Sequence, residues 1–279
     1  MNFLKMNLTL AVVFLFSSLS VFSQKSIDLK YDVSTGDQYD YHIVTDQDIT
    51  FDANGQTMAL NQNIEFKLIS TVAEVSRDSM EIESKIKKIK MVQSIFGMQL
   101  VYDSDDPATA QNPMVAKIAE TMGAMVDKSY YVVMDKKGNM LKVNMSELVE
   151  NDNLSNNLSS GMQFGTYPDH KVKIGDSWET EISPLKTSDM KVKVKYTLLK
   201  VSGKKATLGI DGTITANTVE DIDMKMDGTQ KGEMIVNTET GWLIESKIDQ
   251  EIRMDIEQNG VKVPATISGT TTTTSVKMN

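Results

Sequence analysis

The chain has 279 residues, no cysteine, 29 Lys+Arg against 38 Asp+Glu, and a formal net charge of −9. The missing cysteine excludes disulfides, thiolate metal centres, a cysteine nucleophile and a lipid anchor on a mature N-terminal cysteine. With Arg77 and Arg253 as its two arginines, the acidic chain lacks the Arg and Lys clusters that neutralise nucleic-acid phosphates, so a nucleic-acid partner is not expected.

The N-terminus reads as an export signal. Lys5 precedes an apolar stretch from Leu8 to Phe16, and Val21 and Ser23 fit the small-residue rule for signal peptidase. The stretch is short against the roughly 20 apolar residues of a membrane span. Cleavage is expected after Ser23, leaving Gln24 first, with a periplasmic or extracellular location and no membrane span in the mature chain. Size and the lack of cysteine suit a bacterial envelope protein that relies on a packed core.

Most of the mature chain alternates with period two, the mark of a half-buried antiparallel strand. Ile64, Phe66 and Leu68 share one face, and Met80 and Ile82 alternate with Glu81 and Glu83. Met190, Val192, Val194 and Tyr196 alternate with lysines, and Ile248, Ile252, Met254 and Ile256 with acidic residues and Arg253. Turns are expected at Asp52-Ala53-Asn54-Gly55, Ser202-Gly203-Lys204-Lys205, Asp227-Gly228 and Asn259-Gly260. One segment changes period. From Asn112-Pro113, apolar residues at Met114, Val115, Ile118, Ala119, Met122, Met125 and Val126 predict a helix over 112–126. Residues 146–166, rich in Asn and Ser, read as a linker. The five threonines Thr270 to Thr274 suit an exposed terminal strand.

The two halves share landmarks in the same order. Gly36-Asp37-Gln38-Tyr39 matches Gly175-Asp176-Ser177-Trp178, Val75-Ser76 matches Val201-Ser202, and Gly138 before Leu141 matches Gly241 before Leu243. The spacing shrinks from 139 to 126 to 103 positions, by an extra hairpin near Asn54-Gly55 and by the helical segment, both in the first half. The reading is a duplicated β unit: 1–23 signal, 24–145 first unit with the helix inserted, 146–166 linker, 167–279 second unit. In Gly-Asp-x-Tyr/Trp, glycine allows the turn, Asp37 or Asp176 bonds local amides, and Tyr39 or Trp178 enters the core.

Enzyme chemistry finds little support. There is no Gly-x-Ser-x-Gly elbow and no His-Glu-x-x-His site, and neither His42 nor His170 sits in a triad pattern. Gly203-Lys204-Lys205 is a hairpin turn and not a phosphate loop. Asp221, Asp223 and Asp227, and Asp103, Asp105 and Asp106, fit solvated acidic faces better than a calcium shell of six or more oxygens. No cofactor or metal is expected. The 19 methionines fit adaptable core packing. The sharper reading is a pliable apolar cavity under the helix, with Met114, Ile118, Met122 and Met125 facing a ligand.

The run Tyr167-Pro168, then Val172-Lys173-Ile174-Gly175-Asp176-Ser177-Trp178, resembles a motif of an uncharacterised family of exported Bacteroidota proteins, a domain of unknown function. The turn Asp135 to Leu141 and the signal ending Phe22-Ser23-Gln24 are similar to that family too. The resemblance implies an envelope location, no known activity and no catalytic residue to carry over. A looser likeness is to the half-barrel lipoprotein carriers of the periplasm, which implies a fold. The sequence thus predicts a mainly β chain, a curved antiparallel sheet or open barrel with one principal helix. It is read as a non-enzymatic envelope protein that binds or carries an apolar ligand, a lipid or a lipidated protein. The alternative is a structural or interaction protein of the envelope.

Overall fold

The computed structural model describes residues 26–53, 56–148, 164–182, 189–219, 222–258 and 261–279. The signal segment, residues 149–163 of the linker, and the tips Asn54-Gly55 and Asn259-Gly260 lie outside the described residues. Twelve strands form one antiparallel sheet. The first half supplies β1 (Gln38–Ala53), β2 (Gln56–Val75), β3 (Ser79–Ile95), β4 (Met98–Asp103), β5 (Ser129–Asp135) and β6 (Met140–Asn144). The second supplies β7 (Ser177–Ile182), β8 (Lys191–Ser202), β9 (Lys205–Val219), β10 (Ile222–Asn237), β11 (Leu243–Gln258) and β12 (Val261–Lys277). The sheet order is β6-β5-β3-β2-β1-β12-β11-β10-β9-β8-β7, with β4 paired to β3, and the sheet does not close into a barrel.

Both halves are meanders, and among the described residues β12 alone joins them in the sheet. It pairs with β1 on one side and β11 on the other. This corrects the expectation of an exposed terminal strand at Thr270 to Thr274. Those threonines sit mid-sheet, and Thr45 and Thr271 share a hydroxyl hydrogen bond of 3.0 Å. A second correction concerns Asp227-Gly228, which is no turn. It lies within β10, where Gly228 faces Ile252 in register.

The sheet is rolled. The Tyr31 N–H donates to the Lys136 carbonyl in the β5–β6 turn (2.8 Å), and the Asp32 N–H donates to the Thr240 carbonyl in the β10–β11 turn (3.0 Å). In sheet order β5 and β10 stand six spacings apart, about 29 Å on a flat sheet at ~4.8 Å per strand. Two consecutive residues can bond both turns only because the sheet curls. Tyr167 repeats the bridge: its N–H donates to the Lys137 carbonyl (2.7 Å), and its hydroxyl donates to the Gly241 carbonyl (2.5 Å). The crossing segments that hold Tyr31 and Tyr167 pair with each other at Ile27 and Val172.

Under these segments lies the larger core. Trp242 stacks on Tyr39 at 4.0 Å between centroids, and the rings of Tyr31, Tyr41 and Phe164 meet it edge-on at 6.1–6.2 Å. Trp178 stacks on Tyr196 and donates its indole N–H to the Thr166 carbonyl at 2.7 Å. Aliphatic residues from both wings complete the cluster, Val72 and Ile82 from one and Leu198 and Leu208 from the other.

The helix is shorter than its apolar spacing predicts: a 3-10 turn at Thr109–Gln111, then α1 (Ala116–Gly123). Asn112 bonds the Met114 N–H at 3.0 Å, so it caps a turn ahead of α1 rather than α1 itself. With its flanking residues α1 rests on a second, smaller core built on Ile86, Ile89, Tyr102 and Tyr130.

The two Gly-Asp turns have the same geometry. Gly36 and Gly175 have φ of +91° and +93°, where glycine is favoured. Asp37 and Asp176 each accept a bond from the amide three residues earlier, at 3.1 and 2.8 Å. Each glycine N–H reaches the strand beside it, Gly36 to Val72 and Gly175 to Leu198. At those partners both strands carry a register shift, between Val72 and Glu74 and between Leu198 and Lys200. Tyr39 and Trp178, two residues beyond each Asp, are buried in the same cluster.

Candidate functional site

Because cross-strand partners share a face, the register resolves the inner face, the one carrying the core, into rows that run across the sheet. The central row is made of amides and glycines. Gln93 of β3 stands beside Gln62 of β2, and Gln62 beside Gln47 of β1. Gly269 of β12 follows, then Gln250 of β11, Gln230 of β10 and Gly212 of β9. Gln47 donates to Gln62 at 2.7 Å, Gln62 donates to the Met91 sulfur at 3.0 Å, and Gln250 donates to Gln230 at 3.5 Å. Gln230 is buried and the other four are half-buried.

On one side of this row lies the aromatic core. On the other, the strands run on, and the next two rows of the inner face are apolar. The next row reads Ile95, Leu60, Ile49, Ile267, Ile252, Gly228 and Ile214 from β3 across to β9. The row beyond it reads Met58, Phe51, Ala265, Met254, Met226 and Ala216. Ile49, Phe51, Met58, Leu60, Met226, Ile252, Met254 and Ile267 belong to neither core cluster and are half-buried. Between them stand exposed charged residues, among them Asp48, Asp227, Glu251 and Arg253.

Two open grooves are lined mostly by polar side chains. One of about 510 Å³ is lined by Asp46, Asp48, Asp249, Glu251 and Lys231, and one of about 190 Å³ by Asn61, Asn63 and Ser94. Among the described residues no three acidic or histidine side chains are grouped to hold a metal ion. Asp103 is tied to Lys88 at 3.2 Å, and its carboxyl is held below the usual range: burial opposes this, but the Asp105 amide and Lys88 outweigh it. His42 bonds Glu65 at 2.9 Å on the surface. Among the described residues no helix is long and apolar enough to cross a membrane.

The residues expected to face a ligand sit elsewhere. Met125 is buried in the smaller core, Ile118 and Met122 pack against it, and Met114 is exposed beyond it. The apolar rows were not singled out from the sequence, although a signal is there. Leu60-x-Gln62-x-Ile64, Met91-x-Gln93-x-Ile95 and Ile248-x-Gln250-x-Ile252 each place a glutamine at an apolar beat of an alternating strand. Three such interruptions in one chain mark a common level in the sheet.

No curated protein matches the chain. Among solved structures it is similar to lipovitellin, in a structure titled for lipid–protein interactions, with 7% identity and a TM-score of 0.55. That match covers 89% of this chain and 26% of the other, so the chain spans about a quarter of that protein, and the likeness is one of fold. A match to the translocator domain of the autotransporter NalP from Neisseria meningitidis covers 86% of this chain and 88% of that one, with 8% identity and a TM-score of 0.24. A family model matches residues 77–152 and 139–243, together more than half of the sequence, and the chain therefore belongs to that family of unknown function, DUF6263.

Proposed function

We propose that the protein is an exported carrier that holds an apolar ligand of the lipid class against the inner apolar rows of its sheet. One observation carries this reading. Side chains such as Ile49, Phe51, Ile252 and Met254 face inward and lie outside both cores, on a sheet whose other end is plugged by aromatic residues. Burying apolar area there releases roughly 25 cal/mol per Å², so an acyl chain laid along two rows gains affinity from surface the fold leaves half-covered. The fold likeness to lipovitellin, whose structure is titled for its lipid interactions, supports the same reading. The rows bear no nucleophile and no acid or base, which suits carriage better than catalysis. Export rests on the N-terminal signal pattern.

The test is direct. Protein purified from its native envelope fraction is extracted with organic solvent and the extract analysed by mass spectrometry, beside titration of the stripped protein with an environment-sensitive apolar dye. A stoichiometric lipid and saturable dye binding are expected. An empty extract together with non-saturable dye binding would remove the proposal. A second reading has its own observation: the edge strand β6 exposes Leu141 and Val143, at 61% and 40%, as an interaction edge would. Affinity capture from the same envelope fraction with wild type and a Leu141→Lys variant separates the two, since only the interaction reading predicts a partner lost in the variant.

A further inference from the structure

The amide row suggests what kind of lipid this is. Resting on the carrier reading, we propose that the glutamine row seats the head group of the ligand, and that the ligand is an uncharged amphiphile whose polar part is an ester, amide or hydroxyl group.

Two features of the inner face lead there. The first is charge. From Tyr41 to Phe51 on β1, Met58 to Leu68 on β2, Met224 to Met234 on β10, Ile248 to Met254 on β11 and Val263 to Ser275 on β12, no inner position holds Asp, Glu, Lys or Arg. The charged residues of these strands point outward. A charged head group drawn onto this face would lose water and find no counter-ion, which is costly for a carboxylate or phosphate. The second is hydrogen-bonding capacity. A glutamine amide has two donors and two acceptor pairs. Gln47, Gln62 and Gln250 each make one or two side-chain bonds, all to neighbours in the row or to Met91. A neutral ester or hydroxyl can both give to and take from such amides, while its hydrocarbon lies over Ile49 and Ile252 in the next row.

Three probes of equal chain length decide the matter on the full chain stripped of lipid: a monoacylglycerol, the corresponding fatty acid, and an alkyl dye with no polar head. The monoacylglycerol should bind with an affinity independent of pH. The fatty acid should bind only in its neutral form, so its affinity should fall about tenfold for each pH unit above its own pKa. Gln47→Leu with Gln250→Leu should weaken the monoacylglycerol about tenfold, the worth of one or two net hydrogen bonds, and leave the dye unchanged. Circular dichroism confirms that the double variant folds; if it does not, Gln250→Leu alone is read the same way. Fatty-acid binding that is pH-independent and as tight as the monoacylglycerol, or a glutamine variant with unchanged monoacylglycerol affinity, overturns the head-group assignment and leaves the carrier reading standing. Failure of all three probes to bind overturns the carrier reading, and the assignment with it.

Discussion

Trp178 and Trp242 are both buried, at 8% and 2% exposure, yet their indole N–H groups are in opposite situations. Trp178 donates to the Thr166 carbonyl at 2.7 Å, whereas Trp242 Nε1 is buried with no hydrogen-bond partner among the described residues. Trp→Phe makes the same change of size at each site, so the cost of shrinkage largely cancels when the two are compared. At position 178 the change removes a buried hydrogen bond, worth ~1 kcal/mol net and more when a partner is stranded. At position 242 it removes a desolvated donor that costs ~1–3 kcal/mol to keep. Trp178→Phe should therefore destabilise by about 2 kcal/mol more than Trp242→Phe. At ~2–4 °C per kcal/mol for a domain of this size, the gap is about 4–8 °C in Tm. Urea unfolding followed by far-ultraviolet circular dichroism measures it. Burial alone predicts the reverse order, so equal losses, or a larger loss at Trp242, would refute the reasoning.

Gly241 has φ +69°, and a Cβ there would collide with the Lys30 carbonyl of the crossing segment. Gly241→Ala should lose about 1–3 kcal/mol from the backbone conformation alone and more from the collision. Gly203→Ala, at φ +59° with open space around it, meets the backbone cost only; equal thermal shifts would count against the close approach. Burial holds the hydroxyls of Tyr31, Tyr41 and Tyr167 well above their ordinary pKa and pushes those of Tyr39, Tyr130 and Tyr196 up to about 12. With the folded pKa raised, the stability these groups contribute is whole below pH 10 and is lost as pH climbs toward about 12, because the unfolded chain ionises first. After a jump to pH 11, phenolate absorbance from these six should grow at the rate of unfolding seen by circular dichroism, and an instantaneous rise would contradict their burial. Ending the chain at residue 260 removes β12 and with it the strand pairing between β1 and the second half; the product should be insoluble or lack a cooperative melt, and a soluble, cooperatively melting product would show that the crossing segments paired at Ile27 and Val172 hold the halves together without it.

The strands were legible because alternation is a local property: each apolar beat from Ile64 to Leu68 or from Val192 to Tyr196 follows from period two. The order of strands was not, since pairing across the sheet is a long-range choice. Even so, residues 263–276 carry no charge on either face, the composition of a central strand, and this outweighs the terminal position that suggested an exposed one. Asp227-Gly228 misleads for a related reason. Aspartate before glycine is a strong turn signal, but Gly228 is also the residue that fits where its neighbour on β11 lies close: a Cβ there would stand 3.0 Å from Ile252 Cγ1. The helical period over 112–126 is real, but only Ala116–Gly123 is wound as α-helix, and the flanking Val115 and Met125 are buried in non-helical turns. The apolar rows were hidden by their own regularity, for half-covered and fully covered strand faces have the same pattern. The glutamines that separate them are the local clue.

That boundary can be tested on a single strand. Ile248 and Ile252 lie on the same face of β11, four residues apart, with Gln250 between them. Ile248 is 3% exposed and belongs to the aromatic core, whereas Ile252 is half-buried and belongs to neither core. Lysine at position 248 would bring a charge into a packed interior without a partner, at a cost of several kcal/mol, a large share of the roughly 5–15 kcal/mol that holds a typical domain together. Lysine at position 252 can lay its methylenes along the row and lift its ammonium to water, which costs the fold about 1 kcal/mol or less and places a charge where an acyl chain would lie. Ile248→Lys should therefore fail to fold, while Ile252→Lys should melt near wild type and lose the apolar dye. If both variants unfold, the second row is core and the inner face has no binding end; if Ile252→Lys folds and still binds the dye, the ligand lies somewhere other than these rows.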